Sequence, residues 1–199
     1  MEHRMKELHL DPELFADLVH ATSDALGIPA QLIEKDYYIS TVLRLLSMSA
    51  YAPQIVFKGG TSLSKAYQLI NRFSEDVDFA VTSEQMSGNQ VKTLLSHLMK
   101  EVTVGLVEDK EFPDISKGSK YRKQAFHYDA KIELDAITNP IPARIIVEIS
   151  AFANPFPNEK REIEPFVTTF LKSQGMNDFI TEYHLDPFEL NVLSLKQTL

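Results

Sequence analysis

Apolar positions follow two different periods along the chain, and the change comes near residue 53. Leu14, Phe15, Leu18, Val19 and Leu26 fall near the period of about 3.6 that gives a helix one buried face. Asp11-Pro12 supplies an N-cap and a first-turn proline, and Gly27 a stop. Pro29 opens a second predicted helix, in which Leu32, Ile33, Tyr37, Val42, Leu43, Leu45 and Leu46 form a wide apolar face. After Pro53 the pattern shortens. Ile55-Val56-Phe57 is an apolar run closed by Gly59-Gly60, which predicts a buried strand ending in a turn. Thr61 caps a predicted helix that runs to about Arg72. Asp76-Val77-Asp78-Phe79-Ala80-Val81 alternates and predicts a second strand.

Further along, Val91, Leu94, Leu95, Leu98 and Met99 predict a helix over 88–104. Residues 112–120 read as loop, and 121–137 and 143–151 as strands joined across Asn139-Pro140. A helix near 164–173, a loop, a strand near 188–193 and the first turn of a helix after Ser194 complete the pattern. Helices followed by mixed strands and helices predict an α+β fold. Residues 1–52 are expected to be N-terminal helices packing on a core formed by residues 53–199.

Composition narrows the chemistry. The chain of 199 residues has no Cys, which excludes disulfides, Cys-ligated metal and thiol catalysis. The six His show no ligand spacing. A net charge of −8 argues against a whole-surface grip on nucleic acid. No apolar run approaches the ~18 residues of a membrane span, and the charged N-terminus lacks a signal-peptide core. A cytoplasmic protein with no membrane partner is expected.

The chemistry concentrates in 57–80. Asp76 and Asp78 point to one face of their strand, where they repel unless a cation lies between them or one is protonated. Oxygen ligands so placed suit Mg²⁺ or Mn²⁺. Gly59 and Gly60 let a backbone approach a ligand closely, and the helix start with Thr61 and Ser62 offers donors to phosphate. Strand, Gly-Gly-Thr, helix and Asp-x-Asp in that order resemble the signature of the polymerase-β-type nucleotidyltransferase superfamily, which implies nucleotidyl transfer as the expected chemistry. No Walker A sequence is present.

Lys58-Gly59-Gly60-Thr61-Ser62-Leu63-Ser64-Lys65-Ala66-Tyr67, followed by Arg72-Phe73-Ser74-Glu75-Asp76-Val77-Asp78-Phe79, resembles the AbiEii/AbiGii toxin family of nucleotidyltransferases. Glu34-Lys35-Asp36-Tyr37 is similar to its upstream element. The resemblance implies a minimal nucleotidyltransferase fold, a mixed sheet flanked by helices, followed in the family by a helical domain. It implies a toxin of a type IV toxin–antitoxin or abortive-infection system, acting in phage defence. The implied substrate is a nucleoside triphosphate, the implied acceptor tRNA or another RNA, and the implied partner a cognate antitoxin.

The fold also implies a third carboxylate on a neighbouring strand. Glu148, alone in the apolar run Ile145-Ile146-Val147-Glu148-Ile149, is the best candidate. Pairing with Arg144 or Arg122 is its structural alternative, and Glu133 and Asp135 are its rivals. The expected catalytic and metal-binding set is Asp76, Asp78 and Glu148; the expected phosphate-binding set is Lys58, Gly59, Gly60, Thr61 and Ser62. Lys117, Lys120, Arg122, Lys123 and Lys131, interleaved with Tyr121, Phe126, His127 and Tyr128, form a local basic stretch. It suits triphosphate or RNA, or a soluble edge hairpin.

Family members continue past a segment like Leu193–Leu199 into further helices with Glu-Lys and Arg-Asp motifs. The expectation is therefore a chain truncated before the helical C-terminal domain, with weakened transferase activity. The alternative is a catalytically inactive module that binds nucleotide or antitoxin.

Overall fold

The computed structural model describes residues 6–69, 76–132, 141–152 and 154–195. The elements are α1 (Pro12–Leu26), α2 (Ala30–Met48), β1 (Ile55–Lys58), α3 (Gly59–Lys65), β2 (Asp76–Val81), α4 (Gly88–Val102), β3 (Val107–Glu108), β4 (Ser116–Lys117), β5 (Tyr121–His127), β6 (Arg144–Ser150), β7 (Asn158–Ile163), α5 (Phe166–Ser173), α6 (Asn177–Glu182) and β8 (Phe188–Leu193). The α+β class expected from the sequence is the class observed. Two compact units interleave along the chain. One contains Met1–Ser40, Asp129–Ala143 and Glu164–Pro187; the other contains Thr41–Tyr128, Arg144–Ile163 and Phe188–Leu199.

The first unit is helical. Asp11 caps α1 by accepting from the Leu14 N–H at 3.2 Å, and Gly27 ends the helix at φ 67°. Phe15, Leu18, Val19 and Thr22 form the buried stripe of α1, which packs on α5. Residues 33–40 of α2 are all buried, so this stretch has no solvent face. His9, Phe15, Tyr37 and Tyr38 make a cluster of tilted and edge-on rings, with His9 Nδ1 3.0 Å from the Tyr37 hydroxyl.

Glu34, Lys35 and Asp36 are 2 %, 1 % and 4 % exposed, although neighbouring charges on a helix are ordinarily solvated. Two have visible structural work. Glu34 Oε1 accepts from the Lys131 N–H at 2.6 Å. Asp36 Oδ2 accepts from the Phe166 N–H at 2.9 Å, giving the start of α5 the carboxylate that Pro165 cannot supply.

The second unit holds an eight-stranded mixed sheet in the order β3-β5-β6-β2-β1-β8-β7, with β4 also on β5. β2 lies antiparallel to β1 and parallel to β6, and β6 lies antiparallel to β5. Alternation sorts the central strands. Val77, Phe79, Ile145, Val147 and Ile149 are fully buried, whereas Asp76, Asp78, Glu148 and Ser150 occupy the intervening positions. α4 lies against β6 with Val91, Leu94, Leu95, Leu98, Met99 and Val102 buried, and a Ser87–Gln90 capping box fixes its start.

Several expectations need correction. α3 ends at Lys65 and β5 at His127, both earlier than predicted. β3, β4, β7 and α6 lie where loop or no element was expected. The helix expected after Ser194 lies mainly outside the described residues.

Candidate active site

Four side chains of alternating origin stand in one row across the centre of the sheet. Lys58 on β1 is the cross-strand partner of Asp78 on β2, Asp78 of Glu148 on β6, and Glu148 of Lys123 on β5. Cross-strand partners share a face, so the row reads plus, minus, minus, plus. Lys123 Nζ lies 2.7 Å from Glu148 Oε1, and the Tyr121 hydroxyl donates to Glu148 Oε2 at 2.8 Å. Lys58 Nζ is 3.9 Å from Asp78 Oδ1. Asp76 is on the same face, two residues before Asp78.

Electrostatics follow from this layout. Burial pushes the Asp78 carboxyl above the usual carboxylate range; Lys58 opposes the shift, and the charges of Glu148 and Asp76 add to it. Burial also acts to raise Glu148, but the hydrogen bonds from Lys123 and Tyr121 outweigh it and hold the carboxyl below its ordinary value. The Lys123 ammonium is raised by the same bond, and burial followed by the bond to Glu148 pushes the Tyr121 phenol up to about 12. At neutral pH, Tyr121 is therefore a fixed donor.

The Gly-Gly turn lies directly beside the row. Gly59 adopts φ 78°, and a Cβ there would fall 2.2 Å from Asp78 Oδ2. Only glycine allows both the conformation and the approach. Gly60 has nothing within 4 Å of a Cβ position, so its side of the turn is open. Thr61 and Ser62 are buried. The Thr61 hydroxyl donates to the Asp76 carbonyl, and the Ser62 hydroxyl donates to the Gly59 carbonyl at 2.8 Å. Both hydroxyl protons therefore brace the turn and tie it to β2.

Glu148 pairs with Lys123, not with Arg122 or Arg144. Arg122 follows Tyr121 in the pleat and projects from the opposite face. Glu133 and Asp135, the rival carboxylates, lie outside the described residues. Much of the basic stretch is internally neutralised: Lys117 pairs with Glu108 at 2.6 Å, Lys131 with Asp129, and Lys123 with Glu148, while His127 Nε2 lies 3.2 Å from Asp109 Oδ2. Among the described residues, no three Asp, Glu or His side chains are grouped to hold a metal ion. The donor chemistry nonetheless suits a hard divalent cation, since adjacent carboxylates raise the cost of ionising Asp78 and a cation would relieve it.

A family model described as the AbiEii nucleotidyl transferase toxin of the type IV toxin–antitoxin system matches residues 41–199. The chain belongs to the AbiEii nucleotidyltransferase toxin family. The family resemblance of the Gly-Gly and Asp-x-Asp segments is thereby borne out. Among solved structures, this AbiEii-family chain is similar to MenT4, a nucleotidyltransferase toxin from Mycobacterium tuberculosis H37Rv, with TM-score 0.50 and 19 % identity. The match covers 92 % of the chain and 55 % of MenT4, so the chain spans about half of that relative. At this identity the likeness is one of fold. No curated protein matches the chain by sequence. No helix among the described residues of this family member is long and apolar enough to cross a membrane.

Tyr121 and Lys123 as partners of Glu148 escape sequence reasoning. Their place in an alternating strand shows that they share a face, but which acid lies opposite depends on register.

Proposed function

We propose that the chain is a metal-dependent nucleotidyltransferase, the toxin of a type IV toxin–antitoxin pair, moving a nucleotide from a nucleoside triphosphate to an acceptor such as tRNA. The observation that carries this reading is the Asp78–Glu148 register pair with the Gly59 backbone pressed against Asp78. Asp76, Asp78 and Glu148 would hold Mg²⁺ or Mn²⁺, which supplies charge neutralisation and a more acidic acceptor hydroxyl. Gly59 and Gly60, shaped by Thr61 and Ser62 and flanked by Lys58, receive the β- and γ-phosphates. The depressed pKa of Glu148 makes it a weak proton acceptor, which favours a cation-holding role over that of general base. The site would act in the cytoplasm, with an antitoxin as protein partner.

The test is incubation with each labelled nucleoside triphosphate, Mg²⁺ and total RNA. Label transfer is expected, with Asp78→Asn and Glu148→Gln each losing at least ~10²-fold while remaining folded. Unchanged transfer in both variants would overturn the assignment. A second reading, a module that binds nucleotide without turnover, gains support from one observation: both Glu148 oxygens are already engaged. Nucleotide binding without label transfer is its signature.

A further inference from the structure

Phe152 is 72 % exposed, the most exposed large apolar side chain among the described residues. It lies two residues beyond β6, and its ring stacks on Tyr121 with centroids 6.2 Å apart and planes 25° from parallel. Tyr121 is held in turn by its hydrogen bond to Glu148 Oε2. The backbone just before Phe152 is pinned, with the Ala151 N–H donating to the Lys120 carbonyl at 2.9 Å, and the Asn154 side-chain amide donates to Glu84. The exposed ring is therefore pre-oriented, and only one tyrosine separates it from a candidate catalytic carboxylate.

An isolated exposed phenylalanine needs no explanation. One fixed in an offset stack beside a carboxylate row is different, because every nucleobase offers a π-face to such a ring and stacking tolerates any base identity. We propose that Phe152, braced by Tyr121, is the stacking platform for a nucleobase bound at this site, with Lys123 two residues beyond Tyr121 on the same face of β5 and opposite Glu148. The proposal rests on the nucleotidyltransferase reading above and adds a positioning residue to it. The base belongs either to the incoming nucleoside triphosphate or to the end of the RNA acceptor, and the two are separable by experiment.

The chain contains no Trp, so Phe152→Trp places a single, selectively excited indole at the platform. It is titrated in Mg²⁺ with each nucleoside triphosphate, with a short single-stranded RNA, and with inorganic triphosphate as the base-free control. Indole emission should be quenched by a base-bearing ligand and not by inorganic triphosphate. Response to free nucleotide assigns the base to the donor; response to RNA alone assigns it to the acceptor. In parallel, Phe152→Ala should bind the responding ligand about 5- to 100-fold more weakly than the unsubstituted chain. Its affinity for inorganic triphosphate should not change. Equal affinity of Phe152→Ala for every base-bearing ligand, with a silent indole, overturns the platform and leaves the nucleotidyltransferase reading standing. If the unsubstituted chain binds neither inorganic triphosphate nor any nucleotide or RNA, both fall together.

Discussion

Gly59 and Asp78 are in such close approach that a single methyl group at Gly59 would lie 2.2 Å from Asp78 Oδ2. The glycine is also at φ 78°, where any other L-residue is strained. Gly59→Ala should therefore destabilise the chain by about 2 kcal/mol or more, from backbone strain together with displacement of the Asp78 carboxylate. Gly60→Ala meets nothing within 4 Å and should stay within ~0.5 kcal/mol of the original. Denaturant titrations of the two variants check the contrast. Equal stability would show that the turn relaxes freely and that the approach to Asp78 is not built in.

Asp78 gives a prediction of opposite sign. Its carboxyl is raised in the folded state, chiefly by burial, so the folded protein holds that proton more tightly than the unfolded chain does. Stability from this group is full below the ordinary Asp value and declines as pH rises through the raised one. Asp78→Asn should thus match the original in acid and melt higher at pH 7 without metal. Millimolar Mg²⁺ or Mn²⁺ should raise the melting temperature of the original chain, and Asp78→Asn should lose most of that response. Melting curves in chelator and in metal decide it; a variant that melts far lower in chelator would make Asp78 structural.

Glu34 follows the same logic in the helical unit. Burial raises its carboxyl, and the backbone N–H of Lys131 opposes the shift only partly. Glu34→Gln keeps an acceptor for that N–H but has no charge to desolvate. Its stability relative to the original should increase between the ordinary Glu value and neutrality, and vanish below pH 4. A flat difference between pH 4 and pH 7 would contradict a desolvated carboxylate.

The sequence was most informative where burial on both sides dictated the pattern. β1, β2 and β6 read correctly because alternation or an apolar run leaves no other placement, and Asp76, Asp78 and Glu148 stand out as acids within them. β7 escaped because Asn158-Glu159-Lys160-Arg161-Glu162 is polar throughout. It is an edge strand, where charge is compatible with pairing on one side. β3 and β4 are two residues each, too short to show a period. The burial of Glu34 and Asp36 was illegible because their partners, the N–H groups of Lys131 and Phe166, are 97 and 130 residues away in sequence. Lys123 was visible as a basic residue, but its placement opposite Glu148 follows from a register that no local signal encodes.

That register leads to the final prediction. Lys123 Nζ, 2.7 Å from Glu148 Oε1, is the main opposition to the burial that would otherwise raise the Glu148 carboxyl. A carboxyl depressed in the folded state contributes stability above its ordinary value and loses it as pH falls through the depressed one. The original chain should therefore lose this contribution progressively below pH 4.5, the ordinary Glu value. In Lys123→Met the pair is gone, burial is opposed mainly by Tyr121, and the contribution should shrink or reverse. At pH 7 the variant should be less stable by roughly 1 kcal/mol, a modest figure because both side chains keep about a fifth of their surface in water. Metal should act the other way. Without an ammonium to displace from Glu148, Mg²⁺ should raise the melting temperature of Lys123→Met by more than it raises that of the original. Melting temperatures from pH 3 to pH 7, with and without Mg²⁺, separate the two effects. Superimposable pH curves would show the ion pair to be energetically silent, and an unchanged Mg²⁺ increment would show that Lys123 and the cation do not compete for the same carboxylate.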